Sequence, residues 1–124
     1  MPPMSYQYYL DHIADLNRII ARMPKAAVDE IGNGCGPAGA KIDLVPDNPL
    51  GADFTLPCTR HDVAYHLGEN AENKTVGDLM FLVLMVIGIV YNDDSEIQKR
   101  LQLTAAMRYF KAVYFRGDDA FYDK

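Results

Sequence analysis

The longest apolar run in the chain extends from Leu79 to Tyr91 and is interrupted only by Gly88. It contains no charged residue, yet it is shorter than the ~20 residues that a membrane-spanning helix needs. A run of this kind favours a helix that is buried in a protein core.

The composition predicts one folded domain that covers residues 1–124. The 124 residues are 49% hydrophobic, which is enough for a core. The formal charge is −5 and the sequence pI is about 5.0. No basic patch is visible in the sequence, so nucleic acid is not an expected partner, and the acidic balance argues against strong attraction to anionic membranes.

The spacing of apolar residues predicts an all-α protein. Predicted helices cover residues 5–23, 55–68, 74–91 and about 95–115. Residues 31–54 are rich in Gly, Pro, Asn and Asp and are predicted as a loop, and residues 70–73 as a connector. Ser95 and Gln98 form a capping-box pattern at the start of the fourth predicted helix.

Two segments carry residue types that are suited to hydrolysis. Residues 58–65 read Cys-Thr-Arg-His-Asp-Val-Ala-Tyr, and residues 32–39 form a glycine-rich loop that contains Cys35. A neutral histidine such as His61 can act as a general base near pH 7. Asp62 is a hard oxygen donor suited to calcium, and the loop offers backbone carbonyls for a cation and N–H groups for an oxyanion.

Helical spacing places Asp62 on a different side of its helix from the candidate base His61. Cys58, His61 and Tyr65 share one face of the second predicted helix, whereas Asp62 points about 100° away. Because the connector is short, the third predicted helix is expected to run antiparallel to the second. His61 and Tyr65 are then expected to meet that helix, while Asp62 reaches the glycine-rich loop.

The pattern Cys-x-x-His-Asp-x-x-Tyr, preceded by a loop of cysteine and glycine, resembles the secreted phospholipase A2 superfamily. The similar region runs from about Gly32 to Phe81. The small size and the two cysteines look more like the bacterial, fungal and parvoviral branches than the venom and pancreatic enzymes with many disulfides. The resemblance implies a small helical fold with two antiparallel core helices and a calcium-binding loop, and the activity of a carboxylic ester hydrolase.

The same resemblance implies a role for each candidate residue. His61 would take a proton from water, Asp78 would accept the second ring N–H of His61, and Tyr65 would hydrogen-bond Asp78. The Gly36 N–H would stabilise the oxyanion. The implied calcium ligands are the Asp62 carboxylate and the backbone carbonyls of Gly34, Gly36 and Ala38.

The implied reaction is calcium-dependent hydrolysis of the sn-2 ester of a glycerophospholipid at a membrane or micelle surface. A site with one carboxylate binds calcium weakly, as extracellular modules do, so the protein is expected to act outside the cell or after export. No signal peptide is visible in the first residues. The alternative is a lipid- or protein-binding module on the same scaffold, because Ala38 departs from the glycine of the family pattern.

Several of these residues also have structural interpretations. Without the surrounding pattern, His61 would be a core or surface histidine, as His12 and His66 are expected to be. Asp78 would be an acid near a helix N-terminus, favoured by the helix dipole. Tyr65 would be a buried tyrosine whose hydroxyl needs any partner.

The two cysteines leave three interpretations open. Cys35 and Cys58 could form a disulfide that closes the loop against the helix, as the resemblance implies, or remain two reduced thiols. They could also join His61 in a zinc site, although the sequence contains no Cys-x-x-Cys pair. A small helical structural protein with an accidental match to the pattern is the remaining possibility.

Overall fold

The computed structural model of this protein describes residues 6–32 and 49–122. This part of the chain contains α-helices and one 3₁₀ turn but no strand, so the predicted all-α class is confirmed. The helices are α1 (Tyr6–Ala21), α2 (Lys25–Ile31), α3 (Thr55–Leu67), α4 (Ala71–Val90), α5 (Glu96–Arg116) and α6 (Asp118–Tyr122), and the 3₁₀ turn covers Pro49–Gly51.

Some helix boundaries differ from the prediction. α4 begins at Ala71, inside the segment predicted as a connector, because the Asn70 side chain accepts a hydrogen bond of 2.9 Å from the Asn73 N–H and caps the helix. α2 and α6 were not predicted, and α2 runs one residue into the predicted loop. Both are too short, at seven and five residues, to show a periodic apolar face.

The start of α5 carries the predicted cap but not the full capping box. The Ser95 hydroxyl accepts a hydrogen bond of 3.2 Å from the Gln98 N–H. The Gln98 side chain donates to the carbonyl oxygen of Leu50 instead of reaching back to the N-cap. The Gln102 amide donates to the same carbonyl at 3.1 Å, so α5 holds the 3₁₀ turn that leads into α3.

α3 and α4 form an antiparallel pair at the centre of the fold. The contacts run in opposite order along the two helices, because Tyr65 lies beside Lys74 and His61 lies beside Phe81. α5 packs against α4 and closes one buried cluster, which includes Phe54, Cys58, Phe81, Met85, Ile89 and Ala106. α1 and α2 cover a second cluster, which includes Ile20, Val63, Ala64 and Met80.

The predicted core helix is α4, but one of its faces is exposed. Met80, Phe81, Met85 and Ile89 are buried, whereas Ile87 and Val90 on the outer face are 48% and 53% exposed. Within the described residues, α4 is the one helix long and apolar enough to cross a membrane, a test that a core helix also passes. Its burial against α1, α3 and α5 agrees with the predicted core position.

Candidate functional site

Four polar side chains meet between α3 and α4, and we call them the Asp78 cluster. His61 and Tyr65 come from α3, and Lys74 and Asp78 come from α4. Each pair is four residues apart, so its members point to the same side of their helix. Asp78 has no exposed surface, and His61 and Lys74 are each 6% exposed. Buried ionisable groups need partners, and the geometry of the cluster supplies them.

Asp78 accepts a hydrogen bond from each of the other three members of the cluster. Its Oδ1 lies 2.7 Å from His61 Nε2 and 2.7 Å from the Tyr65 hydroxyl oxygen. Its Oδ2 lies 2.8 Å from Lys74 Nζ. Among the described residues, no buried side-chain nitrogen or oxygen lacks a hydrogen-bond partner, so the cluster is a fully bonded network.

The contact with Asp78 determines which nitrogen of His61 carries the proton. An ionised carboxylate only accepts hydrogen bonds, so the neutral imidazole is protonated at Nε2. Its lone pair then lies on Nδ1, so Nδ1 is the ring nitrogen that can accept a proton. The rings of Tyr65 and Phe81, with centroids 4.2 Å and 4.7 Å from that of His61, restrain the imidazole plane.

Asp78 remains ionised in spite of its burial. Burial acts to raise the pKa of Asp78, but the hydrogen bonds from His61, Lys74 and Tyr65 together outweigh it and lower the pKa. Because the folded-state pKa is lowered, the stability that this carboxylate contributes is present above its ordinary value of about 3.9 and is lost as the pH falls through the folded-state pKa. The earlier alternative, an acid favoured by the helix N-terminus, is wrong, because Asp78 lies two turns inside α4.

The phenol of Tyr65 provides a test of the cluster at high pH. Burial, with the hydrogen bond to the ionised Asp78, raises the pKa of Tyr65 far above its usual value of about 10. Since this pKa is raised, the contribution of Tyr65 to stability is complete below about pH 10 and is lost as the pH rises further. We expect a spectrophotometric titration to find this phenol protonated until alkali unfolds the protein.

Two tyrosine substitutions assign the late-titrating phenol. Tyr65→Phe should remove it, whereas Tyr91→Phe, at a side chain that is 82% exposed, should leave it in place. An early-titrating phenol lost in the Tyr65→Phe protein would contradict the assignment.

Lys74 was not among the residues predicted for the site. A signal was present in the sequence, because Lys74 precedes Asp78 by four residues, a spacing at which charged side chains meet on a helix. On an exposed helix face such a pair contributes little, so the spacing alone did not indicate a functional position.

The other two histidines lie apart from the cluster. His66 is exposed near the end of α3. His12 is half-buried on α1, where its Nδ1 lies 2.8 Å from the carbonyl oxygen of Tyr8 and its ring stacks on that tyrosine. Both positions agree with the interpretation of these residues as structural or solvated.

The predicted calcium loop lies outside the described residues, and so does Cys35. Asp62 is half-buried on α3. The described ranges contain no group of three or more His, Cys, Asp and Glu that could hold a metal ion. The predicted calcium site has one carboxylate, and its other ligands are backbone carbonyls, so it would not form a group of this kind. Cys58 is buried, and its bridge to Cys35 stays a prediction, as do the calcium ligands Gly34, Gly36 and Ala38.

A pocket of about 280 Å³ lies beside α1, the end of α3 and the start of α4. Its lining includes Leu16 and Ile19 from α1, Ala64 from α3, and Glu72 and Val76 from α4. No member of the Asp78 cluster lines this pocket, so the chemistry of the cluster and the pocket are separate features.

No protein-family model, curated protein or solved structure matches this chain. The function is therefore inferred from the residues of the site and their contacts.

Proposed function

We propose that this protein is a phospholipase A2-like enzyme that hydrolyses the sn-2 ester of glycerophospholipids in the presence of calcium. The observation that carries the proposal is the buried contact of 2.7 Å between His61 Nε2 and Asp78 Oδ1. A histidine that is oriented by a carboxylate is suited to general-base catalysis. The pattern that contains His61 also carries Asp62, a donor for calcium, and lies on one helix of an antiparallel pair.

In the proposed reaction, His61 activates a water molecule. Nδ1 of His61 accepts a proton from the water as its oxygen attacks the ester carbonyl carbon. The tetrahedral intermediate then expels the glycerol oxygen, which takes the proton from the imidazolium. The products are a fatty acid and a lysophospholipid, and no covalent bond to the enzyme forms.

Asp78 and Tyr65 support this proton transfer without touching the substrate. The Asp78 carboxylate holds Nε2–H of His61 and stabilises the imidazolium that forms during the reaction. The Tyr65 hydroxyl bonds the same carboxylate oxygen and restrains its position. Electrostatic support of this kind is effective because the cluster is buried, where charges interact more strongly than in water.

The donor chemistry of the proposed metal site fits calcium. Asp62 and the carbonyls of the glycine-rich loop are all oxygen ligands, which hard cations prefer. A bound calcium ion would supply positive charge that stabilises the oxyanion, together with the N–H of Gly36. The proposed ligands are Asp62 and the carbonyls of Gly34, Gly36 and Ala38.

Calcium removal tests this proposal. With one carboxylate, the site should bind calcium with a dissociation constant of roughly 10⁻⁴–10⁻³ M, which suits an extracellular or exported protein. We expect a phospholipid with a fluorescent sn-2 acyl chain to be hydrolysed in millimolar calcium, with activity lost in excess chelator and restored by added calcium. Asp62→Asn should raise the calcium concentration required, whereas Asp93→Asn, an exposed acid beyond α4, should not.

The possible results separate the proposed functions. Full activity in excess chelator would contradict the calcium site while leaving hydrolysis in place. Absence of hydrolysis at saturating calcium, with lipid binding retained, would instead favour the non-catalytic binding module.

The proposed substrate surface is zwitterionic or neutral. The formal charge of −5 gives no general attraction to anionic lipids, because basic residues near such a surface contribute only about 1 kcal/mol each and the acids oppose them. Activity on vesicles is therefore proposed to depend little on anionic lipid content.

A further inference from the structure

We infer that Lys74 is a positioning residue for the His61–Asp78 pair, and that it ties the Asp78 carboxylate to the C-terminal end of α5. The catalytic consequence of this inference rests on the proposed function. Its structural basis is independent of that function, because it follows from the contacts of one buried ammonium group.

The ammonium group of Lys74 has a partner for each of its three hydrogens. Nζ lies 2.8 Å from Asp78 Oδ2, 3.0 Å from the carbonyl oxygen of Val113 and 3.3 Å from that of Tyr114. Three acceptors match the three donors of a lysine, so the group is held in one orientation. The exposed Asp118 carboxylate lies farther away, at 3.6 Å.

The C-terminal end of α5 also favours a positive charge at the position of the Lys74 ammonium group. The last carbonyls of a helix carry a partial negative charge, even where the C-cap N–H bonds one of them, as the Gly117 N–H bonds the Val113 carbonyl at 2.8 Å. α5 ends at Arg116, so Val113 and Tyr114 lie in its last turn. Lys74, from a different helix, neutralises this end and Asp78 together, and so couples α4 to α5.

The same end of α5 also contacts Tyr65. The Tyr65 hydroxyl lies 3.5 Å from the Val113 carbonyl oxygen. A Cβ atom added at Gly117 would lie 2.5 Å from that hydroxyl, which shows how closely the backbone approaches it. The end of α5 therefore packs against both Tyr65 and Lys74, two of the residues that bond Asp78.

The two carboxylate oxygens of Asp78 have different hydrogen-bond partners. Lys74 holds Oδ2, while Oδ1 accepts from His61 and Tyr65. Because a carboxylate rotates as a unit, holding Oδ2 keeps Oδ1 directed at the ring nitrogen of His61. Without Lys74, Oδ2 would be a buried oxygen with no partner, and rotation of the carboxylate would misalign the imidazole.

The test replaces Lys74 with methionine, which has a similar length but no charge and no donor. We expect Lys74→Met to lower kcat roughly 10- to 100-fold with little change in KM, because the base is misplaced while substrate binding is not altered. In the Lys74→Met protein, the downfield proton NMR signal of the His61 Nε2–H should shift or disappear. This signal is assigned by its absence from the His61→Gln protein.

The matched control is Lys25→Met. Lys25 forms an ion pair with Asp29 at the same four-residue spacing, but its side chain is 88% exposed. This substitution should change neither kcat nor the His61 ring signal.

The outcomes distinguish this inference from the proposed function. A folded Lys74→Met protein with an unchanged ring signal and unchanged kcat would overturn it. If Lys74→Met does not fold, Lys74→Arg keeps the positive charge and the hydrogen-bond donors and should restore both the fold and the ring signal. A folded Lys74→Arg protein without that signal would also overturn the inference. The NMR measurement needs no turnover, so a failure of the wild type to hydrolyse phospholipid would refute the proposed function alone.

Discussion

Replacing His61 with glutamine is expected to lower the proposed hydrolysis of phospholipid by roughly 10³-fold while leaving the fold intact, because general-base catalysis contributes on the order of 10²–10⁴-fold. The glutamine amide can donate a hydrogen bond to Asp78, as the imidazole does at 2.7 Å, but it cannot accept a proton from water. The measurements are kcat on a fluorescent phospholipid and the midpoint of thermal unfolding.

A histidine on the same helix supplies the control for this substitution. His66→Gln removes an exposed imidazole near the end of α3 and should leave kcat unchanged. Turnover at the wild-type rate in His61→Gln would mean that another group is the base, and the assignment of the site would be wrong. A large drop in the unfolding midpoint would instead give His61 a structural role.

Asp78→Asn is expected to have the largest combined effect, because it damages catalysis and stability together. One of the two side-chain oxygens becomes an NH₂ group, which then faces donors from Lys74 or from His61 and Tyr65. The imidazole loses the carboxylate that orients it and stabilises its charged form, so we expect kcat to fall by roughly 10³-fold or more.

The same substitution should destabilise the folded protein by roughly 3–5 kcal/mol, as expected when one partner of a buried ion pair is removed. The Lys74 ammonium is only 6% exposed and would lose the charge that compensates it. Urea unfolding at neutral pH measures the effect. The difference from wild type should shrink in acid, as the wild-type Asp78 itself becomes protonated below its lowered pKa.

Two further variants identify the cause of the instability. Asp29→Asn removes the partner of Lys25 from an exposed pair at the same spacing, and the free energy of unfolding should change by no more than about 1 kcal/mol. Lys74→Met combined with Asp78→Asn should recover part of the lost stability, because no buried charge remains, but it should not recover activity. Equal stability of Asp78→Asn and the wild type would contradict the description of Asp78 as a required buried anion.

Local signals determined the four long helices and the placement of residues on them. The spacing of His61 and Tyr65 predicted that both lie on one face of α3, and Ser95 marked the start of α5. These signals are readable because their causes join residues only a few positions apart, as in a turn of helix or an N-cap hydrogen bond. The antiparallel arrangement of α3 and α4 followed from the short segment between them.

The sequence by itself thus determined the all-α class, the main helices and the face of α3 that meets α4, and the resemblance implied the contact of His61 with Asp78. Only the tertiary structure decided the surroundings of that pair. The Lys74 ammonium bonds carbonyl oxygens that lie 39 and 40 residues farther along the chain, at the end of α5. Burial of apolar surface brings α5 against α4, and this force is not directional, so no local pattern shows which helix end will close over which side chain.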